Sequence, residues 1–145
     1  MRYRVRIAAV EDSARINEIN RNALGYDDPP EKTRVQLEKV LKRATDRVYV
    51  VCDENGEVVG FLHAADYETI HSGSFKNIVS LAVDEPCRGL GLGKLLLNAV
   101  ESWAAQDHCE GVRLVSGFNR VQAHAFYEHC GYHLRKEQKN LVKYL

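Results

Sequence analysis

Apolar residues recur along this chain with two periods, and the places where the period changes divide it into elements. Residues 3–9 alternate and predict a first strand, after which Glu11-Asp12-Ser13 offers capping chemistry to a helix carrying Ile16, Ile19 and Ala23 on one side. Gly25-Tyr26-Asp27-Asp28-Pro29-Pro30 reads as a loop, and Leu37, Val40, Leu41 and Ala44 then fall at helical spacing within a second helix over 31–44. Residues 47–53 and 58–67 are apolar and β-branched around an Asn55-Gly56 turn signal, which predicts a hairpin. His71-Ser72-Gly73-Ser74 turns the chain into another strand that ends near Val83.

The strongest periodic signal comes next. Leu92, Leu95, Leu96, Ala99, Val100, Trp103 and Ala104 lie three and four residues apart and predict one long helix with a single buried stripe. Gly111 ends the following turn, residues 112–116 read as a strand, and 119–130 predict a shorter helix with Ala123, Phe126, Tyr127 and Cys130 on one face, stopped by Gly131. Residues 132–145 are expected to finish as one or two strands. The resulting order, β-α-α-β-β-β-α-β-α-β-β, defines a mixed α/β fold. Its middle hairpins imply antiparallel pairs, and the crossover between residues 78 and 116 implies a parallel one.

Composition narrows this picture. With 145 residues the chain is expected to form a single domain over 1–145. Twenty basic and twenty acidic residues cancel, so its overall charge points to neither a nucleic acid nor a membrane surface as partner. The amino terminus lacks the continuous apolar core of a secretory leader, and no stretch reaches the roughly 20 apolar residues of a membrane span. Cys52, Cys87, Cys109 and Cys130 are widely spaced and form no C-x-x-C pair, which argues against a metal site or a disulfide framework and for free thiols in a reducing cytoplasm.

Candidate chemistry concentrates at Arg88-Gly89-Leu90-Gly91-Leu92-Gly93, between the strand that ends Leu81-Ala82-Val83 and the long helix. Strand, glycine-rich turn and helix start together make an anion cradle, because the first-turn amides lack intrahelical partners and the helix dipole adds positive potential there. The spacing excludes two phosphate motifs. Gly89 to Gly93 is one residue short of a P-loop, and Lys94 is followed by Leu95 instead of Ser or Thr; the third glycine of G-x-G-x-x-G is replaced by Lys94.

Arg88-x-x-Gly91-x-Gly93 resembles instead the acyl-CoA motif of the GNAT superfamily of N-acyltransferases. The later Asn119-x6-Phe126-Tyr127-Glu128-x2-Gly131-Tyr132 is similar to that family's second signature, and the resemblance covers nearly the whole chain. It implies an acetyl-CoA-dependent N-acetyltransferase in which a primary amine attacks the bound thioester directly. Gly89, Leu90, Gly91, Leu92 and Gly93, with charge from Arg88 and Lys94, would hold the CoA pyrophosphate. The backbone of Leu81, Ala82 and Val83 would pair with the pantetheine arm and polarise the thioester carbonyl. Asn119 would bond the arm, although an Asn there also suits a helix N-cap. Tyr127 would protonate the departing thiolate, although its stripe also suits plain packing.

The attacking amine must first lose a proton. Asp66, Glu68, His63, His71, Ser80 and Glu85 are candidate bases, and a water relay is an equal one, since Asn77, Val79 and Ser80 stand where the family often has a carboxylate. Tyr26-Asp27-Asp28 and the 66–75 loop would border the acceptor, with Asp27, Asp28, Asp66 and Glu68 suited to a cationic amine. The expected partner is thus a small-molecule or protein amine, with no metal cofactor, and the chain is compatible with a homodimer. A catalytically silent acyl-CoA sensor or an interaction domain of the same fold would share every one of these features, and is told apart by whether CoA is released when amines are offered.

Overall fold

The computed structural model describes residues 2–145, which fall into two compact units, Met1–Val115 and Ser116–Leu145. In the first, β1 (Arg4–Ile7) leads through a short 3-10 turn into α1 (Ser13–Ile19). Asp12 closes that turn by accepting from the Ala9 amide at 2.8 Å and from both terminal nitrogens of Arg6 at 2.8 and 3.0 Å. A π-helical turn, Asn20–Leu24, follows α1 and stops at Gly25, whose φ of 77° is left-handed. Then come α2 (Pro30–Leu41), β2 (Asp46–Cys52), β3 (Val58–Thr69), β4 (Ser72–Val83), α3 (Leu92–Gln106) and β5 (Gly111–Leu114). The helix expected over 31–44 thus ends early, with Ala44 outside it and exposed.

The five strands form one sheet in the order β1-β2-β3-β4-β5, antiparallel throughout except for the parallel pair β4–β5, as the hairpins and the crossover require. One face packs under α1 and α2: Ile16, Ile19 and Leu37 bury against Val48, Val50, Cys52, Phe61 and Ala82. The other packs under α3, where Leu92, Leu96, Leu97, Val100, Trp103 and Ala104 are buried. Leu97 takes the inward place expected of Leu95, which is 39% exposed; the stripe is rotated toward the second of the two leucines.

An irregularity in β4 matters most for the site. His63 of β3 pairs with Ser80, but the next residue, Ala64, pairs with Ile78, so Val79 is an extra residue in β4. It changes which way the strand faces. Lys76, on the α3 side, lies 3.8 Å from the Trp103 ring and binds Asp66 and Asp107, whereas Ala82 joins the core beneath α1 and α2. In an uninterrupted strand residues 76 and 82 would share a face.

The second unit contains α4 (Val121–His129), shorter than the expected 119–130 helix, and a left-handed Gly131 at its end. Arg120 occupies the N-cap position, so Asn119 does not cap the helix. The one or two strands expected over 132–145 do not form: Leu134, Leu141, Val142 and Tyr144 are 73, 86, 71 and 89% exposed. Their sequence supplies the reason, since Arg135-Lys136-Glu137-Gln138-Lys139-Asn140 interrupts the apolar alternation and leaves little surface to offset the entropy of ordering a strand. Among the described residues no helix is long and apolar enough to cross a membrane.

Candidate active site

β4 pairs with β5 only from Phe75 to Ile78, after which the two strands part at the Val79 bulge. From Val79 to Val83 the β5 side of β4 is therefore an open edge. The amide of Asp84 donates to the Val59 carbonyl at 2.8 Å, which fixes the alternation: Asp84, Ala82 and Ser80 bond toward β3, and the N–H and C=O groups of Leu81 and Val83 point to the open side. An extended chain laid along this edge would find a ready row of donors and acceptors.

The open edge runs directly into the glycine turn. Asp84 and a 3-10 turn, Glu85–Cys87, bring the chain to Arg88, whose Nε reaches back to the Val83 carbonyl at 3.4 Å. Gly89 and Gly91 have φ of 80° and 79°, and a Cβ at either would meet no atom within 4 Å, so the space beside this backbone is open. Gly93 already belongs to α3, and Lys94 is exposed. Among the described residues the amides of Gly89, Leu90, Gly91, Leu92, Gly93 and Lys94 donate to nothing, and the first α3 amide with a partner is Leu95, at 3.1 Å from the Gly91 carbonyl. Six consecutive unpaired amides at a helix N-terminus form the concavity that oxyanions occupy.

Arg15 of α1 anchors the start of this turn from below. Its Nη2 lies 2.5 Å from Asp84 Oδ2, and its Nε donates to the Val58 carbonyl at 2.7 Å. Sequence spacing gave no sign of this clamp, whose partners are sixty-nine residues apart. Cys87 lies within the turn, where burial and then Asp84 push its thiol up from its ordinary value, so it is a poor nucleophile.

On the α1–α2 side of the sheet lies a cavity of about 280 Å³, lined by Ile16, Asp28, Leu37, Phe61, His63 and Ser80 among others. Its rim is held by the buried Asn17, a second residue that sequence reasoning missed. The Asn17 amide donates to the Asp28 carbonyl and to Thr33 Oγ1, both at 2.9 Å, fixing the loop between α1 and α2. Of the candidate bases, only His63 and Ser80 line this cavity, and they face each other across β3 and β4. Asp66 is drawn to the opposite face by Lys76, Glu68 accepts from Ser74 at 3.0 Å, and His71 and Glu85 are exposed. The acidic residues expected at the acceptor are occupied: Asp28 pairs with Lys32 at 3.0 Å and the 90% exposed Asp27 with Arg21 at 3.4 Å.

In the second unit Asn119 is exposed and Tyr127 half-buried, its ring 5.3 Å from Phe126 and 5.8 Å from Tyr132 between centroids. Burial pushes the Tyr127 phenol above its ordinary value, so it stays protonated at neutral pH.

An open strand edge that leads into unpaired helix-start amides, on a mixed sheet covered by helices, marks an acyl-CoA-dependent acetyltransferase. The chain matches the acetyltransferase (GNAT) family over residues 13–132 and belongs to it. It is 31% identical over 110 residues to an aminoglycoside N(6')-acetyltransferase type 1 of Stenotrophomonas maltophilia, covering 73% of this chain and 69% of that protein. It is 35% identical over 98 residues to an uncharacterised N-acetyltransferase of Methanocaldococcus jannaschii, covering 66% of this chain and 57% of that one. In fold it resembles AAC(6')-Iy, solved with the bisubstrate analogue CoA-S-monomethyl-acetylneamine, with a TM-score of 0.87 over the full length of both chains at 14% identity. AAC(6')-Ih of Acinetobacter baumannii gives a TM-score of 0.86 over 99% of each chain, also at 14% identity.

Proposed function

We propose that this chain is a single acetyltransferase domain over 1–145 that moves an acetyl group from acetyl-CoA to a primary amine by direct attack, in a reducing compartment such as the cytoplasm. The observation that carries the reading is the run of unpaired amides from Gly89 to Lys94 beside the open β4 edge. A pyrophosphate supplies the oxyanions these amides lack, with charge from Arg88 and Lys94, and the open space at Gly89 and Gly91 admits it against bare backbone. The β4 edge takes the amide-bearing pantetheine arm as an added strand through the outward groups of Leu81 and Val83, while Ala82 between them stays bonded toward β3. When bound, acetyl-CoA supplies an activated acyl group, and an outward amide of the edge donates to the carbonyl oxygen as negative charge develops there.

The family resemblance assigns Asn119 to the arm and Tyr127 to the departing sulfur. A phenol that burial keeps protonated is a proton donor at neutral pH, and a thiolate of ordinary basicity needs only modest help to leave. The amine enters from the cavity under α1 and α2. Family membership and the aminoglycoside acetyltransferase relative support an amine acceptor.

The deciding experiment combines calorimetry of acetyl-CoA binding with a thiol-release assay on benzylamine, putrescine, kanamycin and a peptide with a free N-terminal glycine. Release of CoA with at least one amine supports transfer. Tight binding without release would favour a sensor domain, and absence of acetyl-CoA binding at millimolar concentration would refute the reading altogether.

A further inference from the structure

We propose that His63, oriented by Asp46, is the group that takes the proton from the incoming ammonium. The inference rests on the acetyltransferase reading and adds to it the identity of the base. His63 lines the acceptor cavity, next to Ser80 across the β3–β4 ladder, and Ser80 immediately precedes the open edge at Leu81. Its Nε2 lies 2.7 Å from Asp46 Oδ2.

The Asp46 side chain is only 6% exposed. Burial pushes that carboxyl up, but hydrogen bonds from His63 and Thr45 outweigh it and hold Asp46 below its ordinary value, so it is ionised at neutral pH. An ionised carboxylate only accepts, and therefore Nε2 carries the hydrogen and Nδ1 is left as the basic nitrogen. Nδ1 has no partner among the described residues. A base that lines the acceptor cavity thus has a fixed tautomer and an orienting carboxylate bonded to its far nitrogen, the pattern expected of a general base.

The charges around the pair favour this role. Arg43, two residues past the end of α2, lies 3.7 Å from the same Asp46 oxygen, and across the cavity Asp28 of the preceding loop pairs with Lys32 of α2, which leaves that pair internally neutral. Ser80 on β4 is uncharged. No unpaired carboxylate of the cavity competes with His63 for the proton.

The ammonium gives one proton to His63 Nδ1, and the freed nitrogen lone pair forms the C–N bond while the carbonyl opens to an oxyanion. Collapse of that intermediate breaks the C–S bond, the electron pair leaves with sulfur, and the second nitrogen proton balances the thiolate so that CoA departs as a thiol. The imidazolium returns its proton to water.

The test uses H63Q and D46N with acetyl-CoA and whichever of benzylamine, putrescine, kanamycin or the glycine peptide the unaltered chain acetylates fastest. H63Q is expected to lose about 100-fold in kcat/KM at pH 7. It should keep its acetyl-CoA affinity within two-fold by calorimetry, which also certifies its fold, and recover to within a few-fold near pH 10, where the amine is already free. Asp46 is a positioning residue: D46N should retain part of the rate, lowering kcat while leaving the KM for the amine within two-fold, because the ring is no longer held in one tautomer by a carboxylate. Equal rates for H63Q and the unaltered chain, or a loss that persists undiminished at pH 10, would overturn the proposal. If H63Q lost acetyl-CoA binding, D46N would decide alone, an unchanged kcat counting against the dyad. If the unaltered chain acetylates none of the four amines, the reading of the whole site fails and this one with it.

Discussion

The clamp between Arg15 and Asp84 gives a prediction whose size can be worked from its geometry. Arg15 makes two charge-assisted hydrogen bonds, to Asp84 and to the Val58 carbonyl, with the Arg15 and Asp84 side chains 21 and 13% exposed. Bonds of this kind contribute about 1.5–3 kcal/mol each, and partial exposure puts these at the low end. Arg15→Met removes both and strands a mostly buried carboxylate, for a cost of about 3 kcal/mol. Asp84→Asn keeps an acceptor oxygen and loses only the charge, at about 1.5 kcal/mol. In the double variant no charge is stranded, so its cost should stay near 3 kcal/mol instead of the sum, a coupling of about 1.5 kcal/mol. Urea unfolding followed by far-UV circular dichroism at pH 7, with an unchanged m-value, reads all four corners of the cycle. The same variants should weaken acetyl-CoA binding by about five-fold, since the clamp holds the start of the turn and about 1 kcal/mol of preorganisation is lost with it. Additivity within about 0.5 kcal/mol would refute the clamp as a coupled unit. Unchanged affinity would refute its hold on the turn.

Other features make separate predictions. Gly91→Ala forces a Cβ into a left-handed conformation with open space around it, so it should cost only about 1–2 kcal/mol of stability while abolishing measurable acetyl-CoA binding at micromolar concentration. Asp12 is held below its ordinary value of 3.8 by Arg6, against the opposing effect of its burial, and by the Ala9 amide. A depressed carboxyl stabilises fully above that ordinary value and loses the contribution as pH falls through the folded one. The stability gap between the unaltered chain and Asp12→Asn should therefore be constant near neutrality and close below about pH 4 in acid titrations. Lys76, 2% exposed, is held charged by Asp107 and Asp66 against the pull of burial; Lys76→Met returns two well-exposed carboxylates to water, whereas the Asp66→Asn, Asp107→Asn pair strands the ammonium. The double carboxylate variant should melt lower than Lys76→Met, an order that thermal unfolding checks. Tyr127→Phe should lower kcat without changing the Kd for acetyl-CoA, and an equal loss in both would make the ring a packing residue only.

What was legible in the sequence was whatever chain neighbours decide. Asn55-Gly56 announces its hairpin because few residues adopt that turn, and the α3 stripe repeats on the helix's own pitch. The glycine turn was visible for the same reason, as its function resides in consecutive amides. The remainder depends on partners distant in sequence. Nothing near Arg15 announces Asp84, and Asn17 looks like any helix-surface asparagine until its two acceptors on the neighbouring loop and helix are in place. Among six candidate bases, nothing in the sequence sets His63 apart, because what distinguishes it is a carboxylate seventeen residues away that fixes its tautomer. Leu95 and Leu97 were interchangeable by spacing, and only the sheet beneath chose between them. The missing C-terminal strands erred the other way, with local apolar residues credited beyond what their polar interruption allows.

Val79 gives β4 two halves under different selection. In a regular strand the position of Lys76 dictates that of Ala82; a single extra residue severs that tie, so changes before it are judged by the fit to α3 and changes after it by the cavity and the open edge. The feature is written in the number of residues between two anchors instead of in the identity of any one of them. A substitution at Val79 leaves that number unchanged, while removing the residue would set Ile78 and Ser80 side by side opposite Ala64 and His63 and straighten the ladder with the register of both halves kept. Because neither register moves, whatever that deletion costs in acetyl-CoA binding reports on the bend of β4 alone.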